Sequence, residues 1–269
     1  MTRSIGVIAL NVFRESVRDK VLYNLVFFAM LLMASSYLIG QLTAGQDVKI
    51  IKDLGLSATS LFGLFIAVFI GIGLVSKEVE RRSIYSLLAK PITRGQLVLG
   101  KYCGLTLTLG VNIAVMALAL YTVLAYMTWG LPPEARLVWE TAPLDPALMK
   151  AVLLIFVELM LVTALALFFS TFSSPMLSAA LTFGLYIVGH FSGDLRNFQQ
   201  VVDSPAAAGF ARGLYWVLPN LAQFDVKNEV VHGVHVPLGY MAMTGAYAAV
   251  YIAMLLAISM LVFSRRDFK

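Results

Sequence analysis

Glu158 is the side chain in this sequence whose surroundings most suggest chemistry. It is the only acidic residue in the apolar run from Ala151 to Phe172, which is long enough to cross a membrane. An ionisable side chain at such a position is costly unless it faces the protein interior or a water-filled cavity. The polar side chains at comparable depth on other apolar runs are Tyr121, Tyr186, His190 and Tyr247. Glu158 is therefore predicted to hydrogen-bond one of these four residues.

Metal binding and enzymatic catalysis find little support in the remaining reactive residues. His232-x-x-His235 is a weak metal pair, and the 12 methionines are scattered, as expected of residues that fill gaps between helices. The single cysteine, Cys103, cannot form a disulfide or a cysteine-based metal cluster within these 269 residues. Neither a Ser-His-Asp grouping nor a pair of catalytic carboxylates is visible, so the sequence predicts no catalytic residue, no metal site and no cofactor.

A phosphate-binding loop is suggested by Gly95-Gln-Leu-Val-Leu-Gly100-Lys101, but the match is incomplete. Tyr102 follows where the pattern requires Ser or Thr to hold Mg²⁺. No strand precedes the segment, and an apolar run follows directly. The chain is therefore predicted to have no ATPase site of its own.

The composition is that of an all-α integral membrane protein with a single domain. Hydrophobic residues make up 59% of the sequence and charged residues 13%, against about a quarter charged in soluble proteins. The net charge of +5 does not indicate nucleic-acid binding, because the cations cluster at the ends of apolar runs. Six runs are predicted to be transmembrane helices of about 20 residues: 21–40, 57–76, 104–127, 151–172, 175–193 and 238–263.

An amphipathic helix is predicted to precede the first span, over residues 2–20. Ile5, Ile8 and Val12 share one helical face, and charged residues occupy the others. Such a helix lies along the membrane surface. A signal peptide is disfavoured because Asn11 and Arg14 interrupt the apolar run.

The distribution of positive charge predicts which ends face the cytoplasm. Thirteen of the 20 Lys and Arg residues fall in three segments, namely residues 3–20, residues 77–101 and residues 265–269. Cytoplasmic loops carry this excess of Lys and Arg, so both termini are predicted to be cytoplasmic. A multi-pass location in the bacterial inner membrane follows.

The loop 77–103 carries a pattern beyond its charge. Ile84, Leu87 and Leu88 recur at helical spacing, and Pro91 ends the pattern. The prediction is a short amphipathic helix, a turn and the start of the third span. A loop that only sets orientation is the alternative.

Three segments are predicted on the outer side, and the last, 194–237, is the longest. Within it, Ala206–Leu218 is mildly apolar and stops at Pro219. This stretch is either a shallow re-entrant helix that acts as an outer gate or a plain surface loop.

The order of these motifs resembles the type-2 ABC exporter permeases. The matching residues are the segment from Glu78 to Tyr102, Leu218-Pro219-Asn220 and the closing F-S-R-R-D-F. The nearest branch by this resemblance is the multicopper-enzyme-maturation permeases. The resemblance implies six spans with an N-terminal elbow helix. It also implies a loop that contacts a separate ATPase subunit through Glu78, Glu80, Arg81, Arg82, Leu87, Leu88, Pro91 and Arg94.

The function implied by the resemblance is that of a transport subunit. It would be the membrane-spanning permease of an ABC transporter, exporting a substrate that the sequence does not reveal. Its partners would be separate ATPase subunits that bind the ATP, a second permease copy or paralogue, membrane lipid and an extracytoplasmic partner. Glu158 and its four polar neighbours would line the translocation path or the dimer interface, or form a structural bond within one subunit. A non-transporting anchor that passes ATPase motion to an outer partner is the alternative function.

Overall fold

Helices make up all the regular structure in the part of the chain that is described. The computed structural model describes residues 2–41, 47–80, 93–129, 142–191, 209, 213 and 218–265. Its α-helices are α1 (Thr2–Ser16), α2 (Lys20–Gln41), α3 (Asp47–Glu80), α4 (Arg94–Trp129), α5 (Ala147–Ser170), α6 (Pro175–His190), α7 (Lys227–Val231) and α8 (Leu238–Arg265). A single 3-10 turn, Ala222–Phe224, precedes α7.

Five of these helices are long and apolar enough to cross a membrane, namely α2, α3, α4, α5 and α8. The sixth predicted span corresponds to α6, which has 16 residues and ends at His190 rather than at residue 193. At about 1.5 Å per residue, α6 is roughly 24 Å long and shorter than a hydrocarbon layer of about 30 Å. Six full-length spans are therefore not what the described residues show.

The helices that contain the second and third predicted spans begin about ten residues before those spans, because hydropathy falls at a charged residue whereas a helix need not end there. Helix α3 begins at Asp47, not at residue 57, and an acidic residue in the first turn stabilises a helix. Helix α4 begins at Arg94, not at residue 104. Thr93 caps it, since the Gln96 amide donates to Thr93 Oγ1 at 3.3 Å and the Thr93 amide donates to Gln96 Oε1 at 3.1 Å. Much of the predicted loop 77–103 is thus helical.

The bundle is built around α3 and α5, and small residues set their distance. A Cβ atom added at Gly71 would lie 2.6 Å from the Cβ of Ala166, and Gly63 packs as closely on Leu159. Other small residues of the spans do not pack in this way within the described residues: Ala180 is exposed, and no atom lies within 4 Å of a Cβ added at Gly73, Gly184 or Gly245.

The bundle has two distinct ends. A Cβ atom added at Gly95, at the start of α4, would lie 3.4 Å from Met260 Sδ near the end of α8, and α1 packs on the same part of α4. We call this the terminal end. At the opposite end, which we call the loop end, Gly40 of α2 lies against Asp47 of α3. Most of the stretch 206–218, expected to be either a re-entrant helix or a surface loop, falls outside the described residues.

Candidate functional site

The candidate site is a contact between Glu158 of α5 and His190, the last residue of α6. Glu158 Oε1 lies 3.2 Å from His190 Nε2. The Glu158 side chain is 2% exposed and that of His190 23% exposed. Glu158 Oε1 has no aligned hydrogen bond in the part of the chain that the structure describes. The contact therefore has the distance of an ion pair without the direction of a good hydrogen bond.

Tyr186 holds the imidazole from one turn earlier on α6. The two ring centroids are 4.5 Å apart, and His190 Nδ1 lies 3.1 Å from the carbonyl oxygen of Tyr186. The Tyr186 hydroxyl interacts with the Glu158 carboxylate and with the Ser60 hydroxyl of α3. Three helices thus contribute polar groups to one buried cluster, which we call the Glu158 cluster: Ser60, Glu158, Tyr186 and His190.

Residues 218–237, which we call the loop-end segment, cover this cluster. The Leu221 amide donates to the Gly189 carbonyl at 3.0 Å, directly beside His190. A Cβ atom at Gly189 would lie 2.9 Å from Leu221 Cγ, so only glycine permits this approach. Leu221 and Phe224 are fully buried, as expected of a segment that packs into the bundle. Backbone outside a helix is tolerated at membrane depth where protein surrounds it.

Charges on the loop-end segment lie near the cluster. Asp225 and Lys227 form an ion pair of 3.5 Å, and both act electrostatically on Glu158 and on His190. Their opposite signs partly cancel. The buried carboxylate is thus influenced by two charges of the loop-end segment.

Side chains of other helices hold the loop-end segment through its backbone. Tyr247 Oη accepts from the Asn220 amide at 2.8 Å, and Tyr240 Oη donates to the Gln223 carbonyl at 2.6 Å. Lys150 Nζ donates to the Val236 carbonyl at 2.8 Å. Helices α5, α6 and α8 are therefore all tied to this one segment.

The four polar residues predicted near Glu158 do not all reach it. Tyr186 and His190 contact Glu158, whereas Tyr247 bonds the loop-end segment and the Tyr121 hydroxyl lies 3.5 Å from the Asp145 carbonyl. Sequence reasoning missed Ser60, Asp225 and Lys227. No local signal marks them, because Ser60 on α3 and the two charges of the loop-end segment are far in sequence from Glu158 and meet it only in the folded bundle.

The residues predicted to contact an ATPase are mostly outside the described part of the chain. Glu78 and Glu80 belong to the end of α3, and Arg94 begins α4. The others lie in the undescribed stretch between the two helices: Arg81, Arg82, Leu87, Leu88 and Pro91. His232 Nδ1 lies 2.9 Å from the Asn228 carbonyl of its own helix, and no metal-binding group of three His, Cys, Asp or Glu residues occurs among the described residues.

The long apolar helices and the Glu158 cluster together indicate the class of protein. Five long apolar helices around a buried polar cluster are those of a multi-pass membrane protein. Residues 7–268 match the family described as ABC-2 family transporter protein. The chain therefore belongs to this family and is a permease subunit of an ABC transporter. The multicopper branch is not distinguished by this match. No curated protein sequence matches the chain.

Proposed function

We propose that this chain is the membrane-spanning subunit of an ABC exporter that works with separate ATPase subunits. The family match over residues 7–268 carries the proposal. An ABC permease requires a partner that hydrolyses ATP, and Tyr102 replaces the hydroxyl that a phosphate-binding loop would need. The subunit would pair with a second copy or a paralogue in a bacterial inner membrane, with its terminal end in the cytoplasm.

The lengths of α3 and α4 support a lever mechanism for coupling. They have 34 and 36 residues, so each is roughly 50 Å long at about 1.5 Å per residue. Residues 81–92 connect them at the terminal end. A push on this connection by a closing ATPase would move both helices along their whole length. ATP hydrolysis would thereby change the bundle without any catalytic group in this chain.

The experiment for this proposal is purification of the intact complex followed by flux measurement. The chain should co-purify with an ATPase subunit, and vesicles containing the complex should move a substrate only with hydrolysable ATP. Purification without any ATPase would contradict the proposal.

The second candidate is a transducer that passes ATPase motion to an outer partner without transport. The loop-end segment favours this function because four hydrogen bonds fix its position. Three join a side chain to its backbone, and the fourth joins two backbone groups. ATP hydrolysis by the complex with no flux of any substrate, together with a bound extracytoplasmic protein, would select this function.

Glu158 gives a direct test of whether the cluster belongs to the translocation path. Glu158→Gln keeps the shape and removes the charge. On a path it should lower transport or substrate-stimulated ATPase activity at least about fivefold, the lower end of a typical coupling free energy, at unchanged expression. Unchanged transport would leave only a structural bond between α5 and α6. Asn112→Ala on α4, which removes a polar side chain away from the cluster, serves as the control.

A further inference from the structure

The geometry around His190 determines where its protons lie. Nδ1 is 3.1 Å from the Tyr186 carbonyl oxygen, which can only accept a hydrogen bond. Nδ1 must therefore carry a hydrogen for this contact to be favourable. A neutral imidazole has one hydrogen, so Nε2 would then present its lone pair.

That lone pair would lie on the ring nitrogen nearest the Glu158 carboxylate. Nε2 and Oε1 are 3.2 Å apart, and an ionised carboxylate also has only lone pairs to offer. Two acceptors in contact repel each other, and the 2% exposure of Glu158 leaves water little room to separate them. A neutral His190 beside an ionised Glu158 is thus the one combination that the geometry disfavours.

We propose that Glu158 and His190 form a proton-binding site that holds one proton and keeps the loop-end segment docked. The proton makes the pair either imidazolium with carboxylate or imidazole with carboxylic acid. Both forms are neutral overall, and in both the pair carries a hydrogen that removes the repulsion between two acceptors. Loss of the proton leaves one buried negative charge and two repelling acceptors. The proposal does not depend on export or on any substrate.

The other groups that face the pair do not replace this proton. On α6 the Tyr186 hydroxyl interacts with the carboxylate, and on α3 Ser60 interacts with Tyr186, but both are neutral. On the loop-end segment Asp225 and Lys227 are paired with each other at 3.5 Å. Tyr247 of α8 bonds the Asn220 amide. His190 is the more exposed member of the pair, with 23% of its side chain accessible against 2% for Glu158.

Docking depends on the pair because the two contacts are adjacent along α6. The Gly189 carbonyl accepts from Leu221 of the loop-end segment, and His190 is the next residue. Repulsion between His190 and Glu158 would displace the end of α6 from α5. The Leu221 contact would then lengthen, and the loop-end segment would separate from the bundle. Rising pH should therefore release the segment, and falling pH should hold it.

The first experiment locates the proton directly in the full-length chain in lipid nanodiscs. His232 and His235 are exposed and are replaced by Gln, so that His190 gives the only imidazole nitrogen-15 signals. Infrared difference spectra against Glu158→Gln report whether Glu158 is an acid or a carboxylate. At neutral pH we expect either an imidazolium with a carboxylate or an Nδ1-protonated ring with a carboxylic acid. Any other combination overturns the proposal.

The second experiment measures docking by cysteine labelling in a Cys103→Ser background. Val231→Cys lies on the buried side of α7, and Val234→Cys three residues later is 54% exposed and serves as the control for thiol ionisation. The labelling rate of Val231→Cys divided by that of Val234→Cys reports undocking at each pH. From mildly acidic to mildly alkaline pH, we expect this ratio to rise about fivefold or more.

Glu158→Gln separates the proton from a general effect of pH. Its amide can donate to Nε2 without any added proton, so its labelling ratio should stay low at every pH. Glu158→Ala removes the contact and should give a high ratio at every pH. Two results would overturn the proposal. One is an equal rise of the labelling ratio with pH in the protein that retains Glu158 and in Glu158→Gln. The other is a labelling ratio that does not change with pH when Glu158 is retained.

Discussion

The two ends of the bundle are held together by different kinds of contact. At the terminal end α1 packs on α4 through Gly100 and Gly104, where added Cβ atoms would lie 2.7 Å from Ile8 and 2.6 Å from the Ala9 carbonyl oxygen. At the loop end side chains bond the backbone of distant segments. Lys52 Nζ, for example, donates to the Ala142 carbonyl at 2.7 Å. Apolar close packing resists any local change, whereas single hydrogen bonds can be released one at a time.

This difference suits a machine that is driven from one end. A rigid terminal end would transmit a displacement of residues 81–92 to α1, α3 and α4 together. Opening of the loop end would break its hydrogen bonds and also expose Leu221 and Phe224, which are buried in the core. Gly100 and Gly104 thus have a packing role in the structure. They lie at the segment whose incomplete match to a phosphate-binding loop led to the prediction of no ATPase site.

The largest effect is expected from reversing charge at the connection between α3 and α4. Arg81→Glu with Arg82→Glu should abolish transport, because charged residues at a contact set partner orientation and like charges repel. Insertion of the chain should be unaffected. Co-purification of the ATPase subunit measures the contact, and the ATPase activity of the complex measures the coupling. Full complex and full transport in the double variant would remove this connection from the coupling mechanism.

The packing of α1 on α4 at the terminal end can be disrupted by replacing one glycine with a larger residue. Gly104→Val should lower the free energy of unfolding by about 1–3 kcal/mol, because the added atoms meet the backbone of Ala9 and the side chain of Val12. Gly73→Val is the matched control, since no atom lies within 4 Å of its added Cβ. Thermal unfolding in detergent compares the two. Equal midpoints would show that α1 is not seated on α4.

The loop end should respond less to the loss of one bond. Tyr240→Phe and Tyr247→Phe each remove a hydroxyl that bonds the loop-end segment, which typically costs about 1 kcal/mol. Hydrogen exchange of residues 220–224 should speed up in both variants. Tyr126→Phe, at an exposed tyrosine near the loop end of α4, is the control. Identical exchange in all three would mean that these hydroxyls do not hold the segment.

The smallest effect on the protein is expected from thiol labelling of Cys103, which shows which end of the bundle faces the cytoplasm. Cys103 is exposed near the terminal end and is the only cysteine in the sequence. A membrane-impermeant thiol reagent should label it in inside-out vesicles and leave activity little changed. Labelling from the outside of intact spheroplasts would reverse the predicted orientation of the whole bundle.

Several features could be read from the sequence because they depend on neighbouring residues alone. The apolar runs located α2, α5 and α8 to within a few residues, since burial in lipid requires a continuous apolar stretch. Helices α3 and α4 extend beyond the predicted spans, because an apolar run ends at a charged residue whereas a helix need not. Thr93 and Gln96 form a capping pair that marks the start of α4 in the sequence.

The sequence by itself determined a helical membrane protein, its family and Glu158 as its unusual buried carboxylate. Only the tertiary structure decided that His190, 32 positions away, is the residue in contact with it. The same holds for the loop-end segment, whose Leu221 meets Gly189 and whose Asn220 meets Tyr247. Hydropathy and helix signals arise from the residues next to each other in the chain. Which polar groups meet depends on the rotation and depth of each helix, and these are set by packing between segments far apart in sequence.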